Sequence, residues 1–236
     1  MATATEKLSA YYQCYNHIIA AEEVLKRFRS FYPFEEIRML NDAGDQRLSL
    51  LAMKYHTHYT YANRTSIQDH GMYFTSWQKG AVYVKRIIEA SEACDWLILL
   101  EDDVWVLSGI PLHKLHFDIN GAYSRLLLPD CLVRAIRAMN PGIQQRLQYA
   151  GNGGSLLRCS FFRNLSTKNW TQALPSIFRA RDDYIASDEM ISSLTYVFGG
   201  SIGPYPSFSE PTFFTFLFSY MTGAISVLHE AKFLYD

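Results

Sequence analysis

No stretch of this chain is apolar for long enough to cross a bilayer. Its most hydrophobic window, 213–228, is broken by Ser219, Thr222, Gly223 and Ser226 and falls short of the roughly 18–20 apolar residues a span needs. A basic stripe is missing too: 22 Lys and Arg stand against 23 Asp and Glu, and the cations are scattered. That argues against a polynucleotide surface and favours a single nucleotide as partner. The four cysteines, Cys14, Cys94, Cys131 and Cys159, form no CxxC pair, so neither a zinc site nor a disulfide framework is suggested and buried free thiols are expected. The N-terminus has no basic segment leading into an apolar one, so a cytoplasmic location is expected, and the acceptor patterns at Asn63, Asn164 and Asn169 carry no weight. Repeats and linker-like segments are absent. At 236 residues and 49% hydrophobic content the chain can bury a full core, and one domain over 1–236 is expected.

What is present is an unusual run, Trp96-Leu97-Ile98-Leu99-Leu100-Glu101-Asp102-Asp103-Val104-Trp105-Val106. Its apolar part reads as a strand buried on both faces, and it delivers three consecutive acids. Neighbouring carboxylates repel unless they share a cation, and a hard ion such as Mg²⁺ or Mn²⁺ takes oxygen ligands while leaving room for phosphate oxygens. The plain alternative is a turn whose acids are solvated.

The surrounding pattern favours a site. Apolar positions interleaved with charge predict a helix over 18–31 stopped by Pro33, then a strand over 37–40 broken by Asn41-Asp42-Ala43-Gly44-Asp45. A helix over 46–55, a strand over 58–62 and a helix over 71–93, with Phe74 and Trp77 on its inner side, lead into the acidic strand. This alternation predicts an α/β fold with a mainly parallel sheet and helices on both faces, in which ligands bind beyond the carboxyl ends of the strands. Asp42, Asp45 and residues 101–103 all fall at such ends. Further on, a helix over 132–139, a strand over 148–158 bent by glycines, a helix over 187–196 and a Gly/Pro loop over 199–206 are expected.

The order of features resembles the GT-A class of nucleotide-sugar-dependent glycosyltransferases. The matching pieces are Cys14-Tyr15-Asn16-His17 opening a helix, Phe28-Arg29-Ser30-Phe31-Tyr32-Pro33 closing it, and Asn41-Asp42-Ala43-Gly44-Asp45 after the next strand. Leu100-Glu101-Asp102-Asp103-Val104 looks like the DxD motif, Gly151-Asn152-Gly153-Gly154-Ser155 like a Gly-rich segment, and Ser187-Asp188-Glu189 like an acceptor-side helix start. Among such enzymes the chain also resembles the capsid-glycan glycosyltransferases of large algal viruses. The resemblance implies a GT-A (Rossmann-like) domain with a nucleotide-binding half, 1–107, and a smaller acceptor-binding half, 108–236. It further implies that Asn41, Asp42 and Asp45 approach the base or ribose, that Glu101 and Asp102 approach ribose and metal-bound water, and that Asp103 binds Mn²⁺ or Mg²⁺ with Glu101 and a C-terminal His229 as further ligands. The donor implied is a nucleoside-diphosphate sugar, with UDP the family's usual nucleotide, and the acceptor a glycan or glycoprotein.

The chemistry expected is departure of the diphosphate from the anomeric carbon, with the leaving charge stabilised by the cation. A carboxylate on the acceptor side takes the proton of the attacking hydroxyl, Asp188 being the first choice and Glu189 the second, which would invert the anomeric centre. Ser187-Asp188-Glu189 equally suits a helix cap. Lys79 is placed to reach phosphate or sugar, Asn152 and Ser155 sugar hydroxyls, and Tyr205, Phe208, Phe213, Phe214 and Phe216 are candidates for a stacking wall. A retaining transferase and a non-catalytic nucleotide-sugar-binding protein share these features. A nucleotidyltransferase would want a basic Gly-rich loop where this chain has acids.

Overall fold

The structure, a computed structural model, describes residues 6–64, 73–121, 127–151, 153–205, 207–209 and 227–228. In chain order its elements are β1 (Leu8–Cys14), α1 (Ile18–Phe31), β2 (Ile37–Asn41), α2 (Leu48–Lys54), β3 (His58–Tyr61), β4 (Tyr73–Phe74), α3 (Trp77–Ala90), β5 (Trp96–Leu100) and β6 (Trp105–Val106). The second part adds β7 (Ile119–Gly121), α4 (Asp130–Met139), β8 (Leu156–Arg158), α5 (Cys159–Ser166), α6 (Leu174–Ala180), β9 (Ile185–Ala186), α7 (Ser187–Val197), β10 (Ile202–Pro204), β11 (Phe208–Ser209) and β12 (Val227–Leu228). Among these helices none is long and apolar enough to cross a membrane.

Seven strands form the central sheet in the order β10-β7-β8-β5-β1-β2-β3. β1 runs parallel to β2 and β5, β2 to β3, and β7 to β10, whereas β8 is antiparallel to both of its neighbours, β5 and β7. The predicted mainly parallel α/β sheet is therefore present, with helices on both faces. Side-chain alternation along β5 sorts the core between those faces. Leu97 and Leu99 join Tyr83, Ile87, Phe178 and Met190 on the α3, α6 and α7 side. Trp96, Ile98 and Leu100 join Leu25, Phe28 and Leu48 on the α1 and α2 side. All five β5 residues are buried, which explains the unbroken apolar run.

Several expectations need correction. Helix α3 starts at Trp77, where the Ser76 hydroxyl accepts from the Lys79 N–H and caps the first turn. Tyr73 and Phe74, predicted as helical, form β4 and pair with β9, and Trp77 is 36% exposed where an inward position was expected. The strand predicted over 148–158 is confined to Leu156–Arg158, because positive φ at Gly151 (113°) and Gly154 (84°) turns the chain before it can extend. Within the expected 199–206 loop, Ile202–Pro204 is an edge strand whose Pro204 suits the rim of a sheet. β1, β7, α5 and α6 had no counterpart in the prediction. The cysteines are free thiols, three of them buried, and Cys94 and Cys159 bring their sulfurs to 3.0 Å.

The carboxyl ends of β1 and β2 are tied together through their loops. Cys14 is opposite Asn41, the Asp42 N–H donates to the Cys14 carbonyl (2.9 Å), and the Asp45 N–H donates to the Tyr15 carbonyl (2.8 Å). A β-carbon at Gly44 would overlap the Tyr15 carbonyl, a backbone group that cannot rotate away. Gly44→Ala is therefore expected to destabilise the protein by about 3 kcal/mol or more, read as a lower urea midpoint with an unchanged m-value.

Candidate functional site

The acids after β5 inherit its alternation. Glu101 follows Leu99 toward the α3 and α7 face, and Asp102 follows Leu100 toward the α1 face. On that face the Tyr12 hydroxyl, from β1, donates to Asp102 Oδ1 at 2.6 Å, and His17 at the start of α1 lies near enough to favour the ionised carboxylate. Burial nevertheless pushes the Asp102 pKa up to about 6, helped by the adjacent charges of Asp103 and Glu101. Tyr12 and His17 are residues the sequence reading missed, since their partner lies about ninety positions away in the chain.

On the other face, Glu101 meets the glycine turn. A β-carbon at Gly153 would stand 2.8 Å from the Glu101 carboxyl carbon and 2.9 Å from Oε2, so a side chain there would displace that carboxylate. The turn is pinned from both sides. The Gly154 N–H donates to the Leu99 carbonyl (2.6 Å), the Leu99 N–H to the Ser155 carbonyl (3.0 Å), and the Gly151 N–H to Ser155 Oγ (3.1 Å). From α7, the Ser192 hydroxyl donates to the Ala150 carbonyl and accepts from the Ala150 N–H. Asp188 lies one helical turn before Ser192 on the same face of α7. Its backbone accordingly packs beside Gly151, whose β-carbon would lie 3.8 Å from the Asp188 Cα.

Asp188 and Glu101 thus come close enough for their charges to interact. The Asp188 pKa is pushed up to about 6, mainly by burial and further by Glu189 and Glu101, while the Glu189 N–H, donating to Asp188 Oδ1 at 2.7 Å, works in the opposite direction. Tyr83, wholly buried on α3, feels both Glu101 and Asp188, and burial raises its pKa well above the usual tyrosine value. Glu189, the second choice for a base, is ion-paired with Arg181 at 3.1 Å and 3.3 Å. Its carboxylate anchors the chain entering α7.

The other predicted residues divide. Asp42 is fully buried, with the Arg86 guanidinium 3.9 Å from its carboxylate, so it lies behind the site wall and not at its surface. Asn41 is buried and works as a loop clamp: its Nδ2 donates to the Asp45 carbonyl (2.8 Å) and to Tyr59 Oη (3.0 Å), and its Oδ1 accepts from the Gly44 N–H (2.7 Å). Asp45 is half-buried and pairs with Arg47 at 2.5 Å, which lowers its pKa. Lys79 sits in the first turn of α3 and makes no ion pair among the described residues. Ser155 is buried inside the glycine turn, its Oγ also filling the space a β-carbon at Gly121 would need. Asp103 is half-buried beside Asp102. Asn152 and His229 lie outside the described residues. Of the expected stacking wall, Tyr205 is buried in the core, and the side chains of Phe208, Phe213, Phe214 and Phe216 lie outside the described set.

Carboxylate oxygens crowded at one sheet end fit a hard divalent cation, whose charge would offset the repulsion that burial imposes on Asp102. Among the described residues no three His, Cys, Asp or Glu side chains converge as a ligand set, so such an ion would need a donor from outside them. The Tyr12 hydroxyl already shares the Asp102 carboxylate. Tyr12→Phe is expected to lower stability at pH 8 by about 1.5–3 kcal/mol, the range for a hydrogen bond to a charged group. The loss should shrink near pH 4, where Asp102 is protonated; denaturant unfolding at the two pH values measures it.

No protein-family profile matches the chain, and no curated protein matches it by sequence. Solved structures do match in fold. The galactosyltransferase LgtC, in complex with donor and acceptor sugar analogues, aligns with a TM-score of 0.54 at 14% identity, covering 93% of this chain and 86% of its own. Core-mannan synthase A from Aspergillus fumigatus, in an Mn/GDP form, aligns at 0.55 with 8% identity, over 87% and 74%. The glycosyltransferase GlyE of Streptococcus pneumoniae TIGR4 aligns at 0.52 with 14% identity, over 95% of this chain and 54% of GlyE, so the chain spans about half of that protein. At such identities the likeness establishes the fold, which is that of the GT-A glycosyltransferases.

Proposed function

We propose that the protein is a glycosyltransferase that moves a sugar from a nucleoside-diphosphate sugar to a hydroxyl of a glycan or glycoprotein, with Asp188 as general base and inversion at the anomeric carbon. One observation carries the reading. Glu101 from the end of β5 and Asp188 from the start of α7 both pack against the glycine turn, near enough for their charges to interact.

Asp103 and Glu101 are the residues to hold Mn²⁺ or Mg²⁺, with His229 as a third donor, and Asp102 lies next to them for ribose or a metal-bound water. A cation bound there would supply positive charge against the leaving diphosphate. The protein's own residues do the rest. Glycine backbone at 151, 153 and 154 would let a sugar approach closely, Asn152 is the residue to offer it a polar group, Ser155 holds the turn from within, and Asp45 and Lys79 remain for ribose and phosphate. Asn41 and Asp42 act one layer back, holding the loop that carries Asp45. As the anomeric C–O bond breaks, its electron pair leaves with the phosphate oxygen. The acceptor oxygen forms the new bond, and its proton passes to Asp188. In this reading Asp188 acts on the attacking side and the acids after β5 on the leaving side, the division of labour that an in-line displacement needs. UDP is the nucleotide the family resemblance favours, and GDP is the one bound to the mannan synthase.

A thermal-shift panel of UDP, GDP, ADP, CDP and TDP with and without Mn²⁺ tests the donor half, because a ligand that binds only the folded state raises the melting temperature. Stabilisation by one nucleotide that requires the metal is expected; no stabilisation by any pair would sink the reading. The anomeric configuration of the product by NMR then separates inversion from retention.

A further inference from the structure

We infer that the outer face of the β4–β9 ribbon is an acceptor subsite, a stacking platform for a neutral pyranoside formed by Tyr73 and Tyr184 and edged by Asp182 and Asp183. This rests on the glycosyltransferase reading and names the acceptor side of the same site. Tyr73 pairs with Ala186 and Phe74 with Ile185 in an antiparallel ribbon. Phe74 and Ile185 are fully buried, so alternation turns Tyr73, Tyr184 and Ala186 to the opposite face. There the two tyrosine rings stack, centroids 4.4 Å apart and planes 10° from parallel, while Tyr184 stays 42% exposed. The stack fixes the Tyr184 ring against Tyr73 by one face and leaves the residue partly exposed, where burial does not account for it.

The chain on either side gives the platform its chemistry. Immediately before it, Asp182 (φ 54°) and Asp183 (φ 59°) are consecutive non-glycine residues in the left-handed region, each costing about 1–2 kcal/mol. Such strain persists only where surrounding bonds impose it, and here the Asp183 N–H is held by the Phe178 carbonyl at 2.9 Å. The doublet places two exposed aspartates immediately before Tyr184 in the chain, and Arg181, the neighbouring cation, is committed to Glu189. Immediately after the platform, the ribbon runs through Ala186 into Asp188. Asp188 follows Tyr184 by four positions, as the second residue of α7.

A sugar ring has a C–H face that packs on an aromatic ring and hydroxyls around its edge that donate to carboxylates. Tyr184 with Asp182 and Asp183 offers both. Two exposed carboxylates disfavour uronic acids and sulfated sugars, so the class that fits is a neutral hexopyranoside.

Saturation-transfer NMR on the full chain tests this without turnover, using the methyl glycosides of glucose, galactose, mannose, fucose and glucuronic acid, each at tens of millimolar. At least one neutral glycoside should receive saturation on the protons of one ring face, the glucuronide should not, and the signal should vanish in Tyr184→Ala while surviving in Tyr184→Phe. Tyr184 is exposed enough for its truncation to leave the fold intact, and matched melting curves check that. Absence of signal from every neutral glycoside, or a signal that persists in Tyr184→Ala, overturns the platform. The result is independent of the nucleotide panel: a failed panel with a Tyr184-dependent signal would remove the donor reading and leave the sugar-binding face standing.

Discussion

Replacing Asp188 with Asn is expected to lower sugar transfer by about 10²–10⁴-fold, the usual worth of a positioned general base, and at the same time to make the ligand-free protein more stable at pH 8. The second effect follows from burial. Asp188 has its pKa pushed up to about 6 in the folded protein from 3.8, so the folded state binds the proton more tightly than the unfolded one. Stability contributed by this group is present in full below about pH 4 and is lost as pH rises through 6. The loss is about 2–3 kcal/mol at most, at roughly 1.4 kcal/mol per pKa unit. Asn accepts the Glu189 N–H as the carboxylate does and carries no charge to bury. Asp188→Asn should therefore melt above the parent at pH 8 and level with it at pH 4. The same ionisation sets the activity profile of the parent, whose transfer should fall tenfold per pH unit below about 6. An Asp188→Asn protein that transfers at the parental rate would remove the base assignment.

Asp103→Ala is expected to abolish the dependence of nucleotide binding on metal. A ligand at one hundred times its Kd adds about 2.7 kcal/mol to folding stability, which in a domain of this size raises Tm by roughly 5–10 °C. Parent protein should show that shift with Mn²⁺ and its nucleotide together, and Asp103→Ala should show little of it. Asp103 is half-buried at the rim, so its removal leaves the core untouched and the comparison reports binding. A full shift in the variant would place the cation elsewhere.

Much of the acidic end of β5 and of the elements before it is legible in the amino-acid order because its cause is local. Five aliphatic or aromatic residues followed by three acids can be recognised without knowing any partner, and α1 was predicted with the bounds it has. What could not be read depends on distant partners. β1 lies at the centre of the sheet yet mixes Ser9, Gln13 and two tyrosines, and its burial comes from β2 and β5 on its flanks. Asp42 looks like a ligand from its position after a strand, and only the approach of Arg86 from α3 turns it into a buried ion pair. Asp188 and Glu189 are equivalent in sequence. Arg181, eight positions back across a left-handed doublet, distinguishes them by engaging one and leaving the other beside Glu101.

The reversed strand β8 carries a consequence for biogenesis. During synthesis β5 emerges with its outer rim unsatisfied, and the three residues that cover it are made more than fifty positions later. Until then an aliphatic edge offers open amide and carbonyl groups to any neighbour. Nascent or prematurely terminated chains ending before Leu156 should thus depend on chaperones and self-associate, and a fragment cut at residue 107 would keep the acids yet lack the seal that keeps their strand soluble.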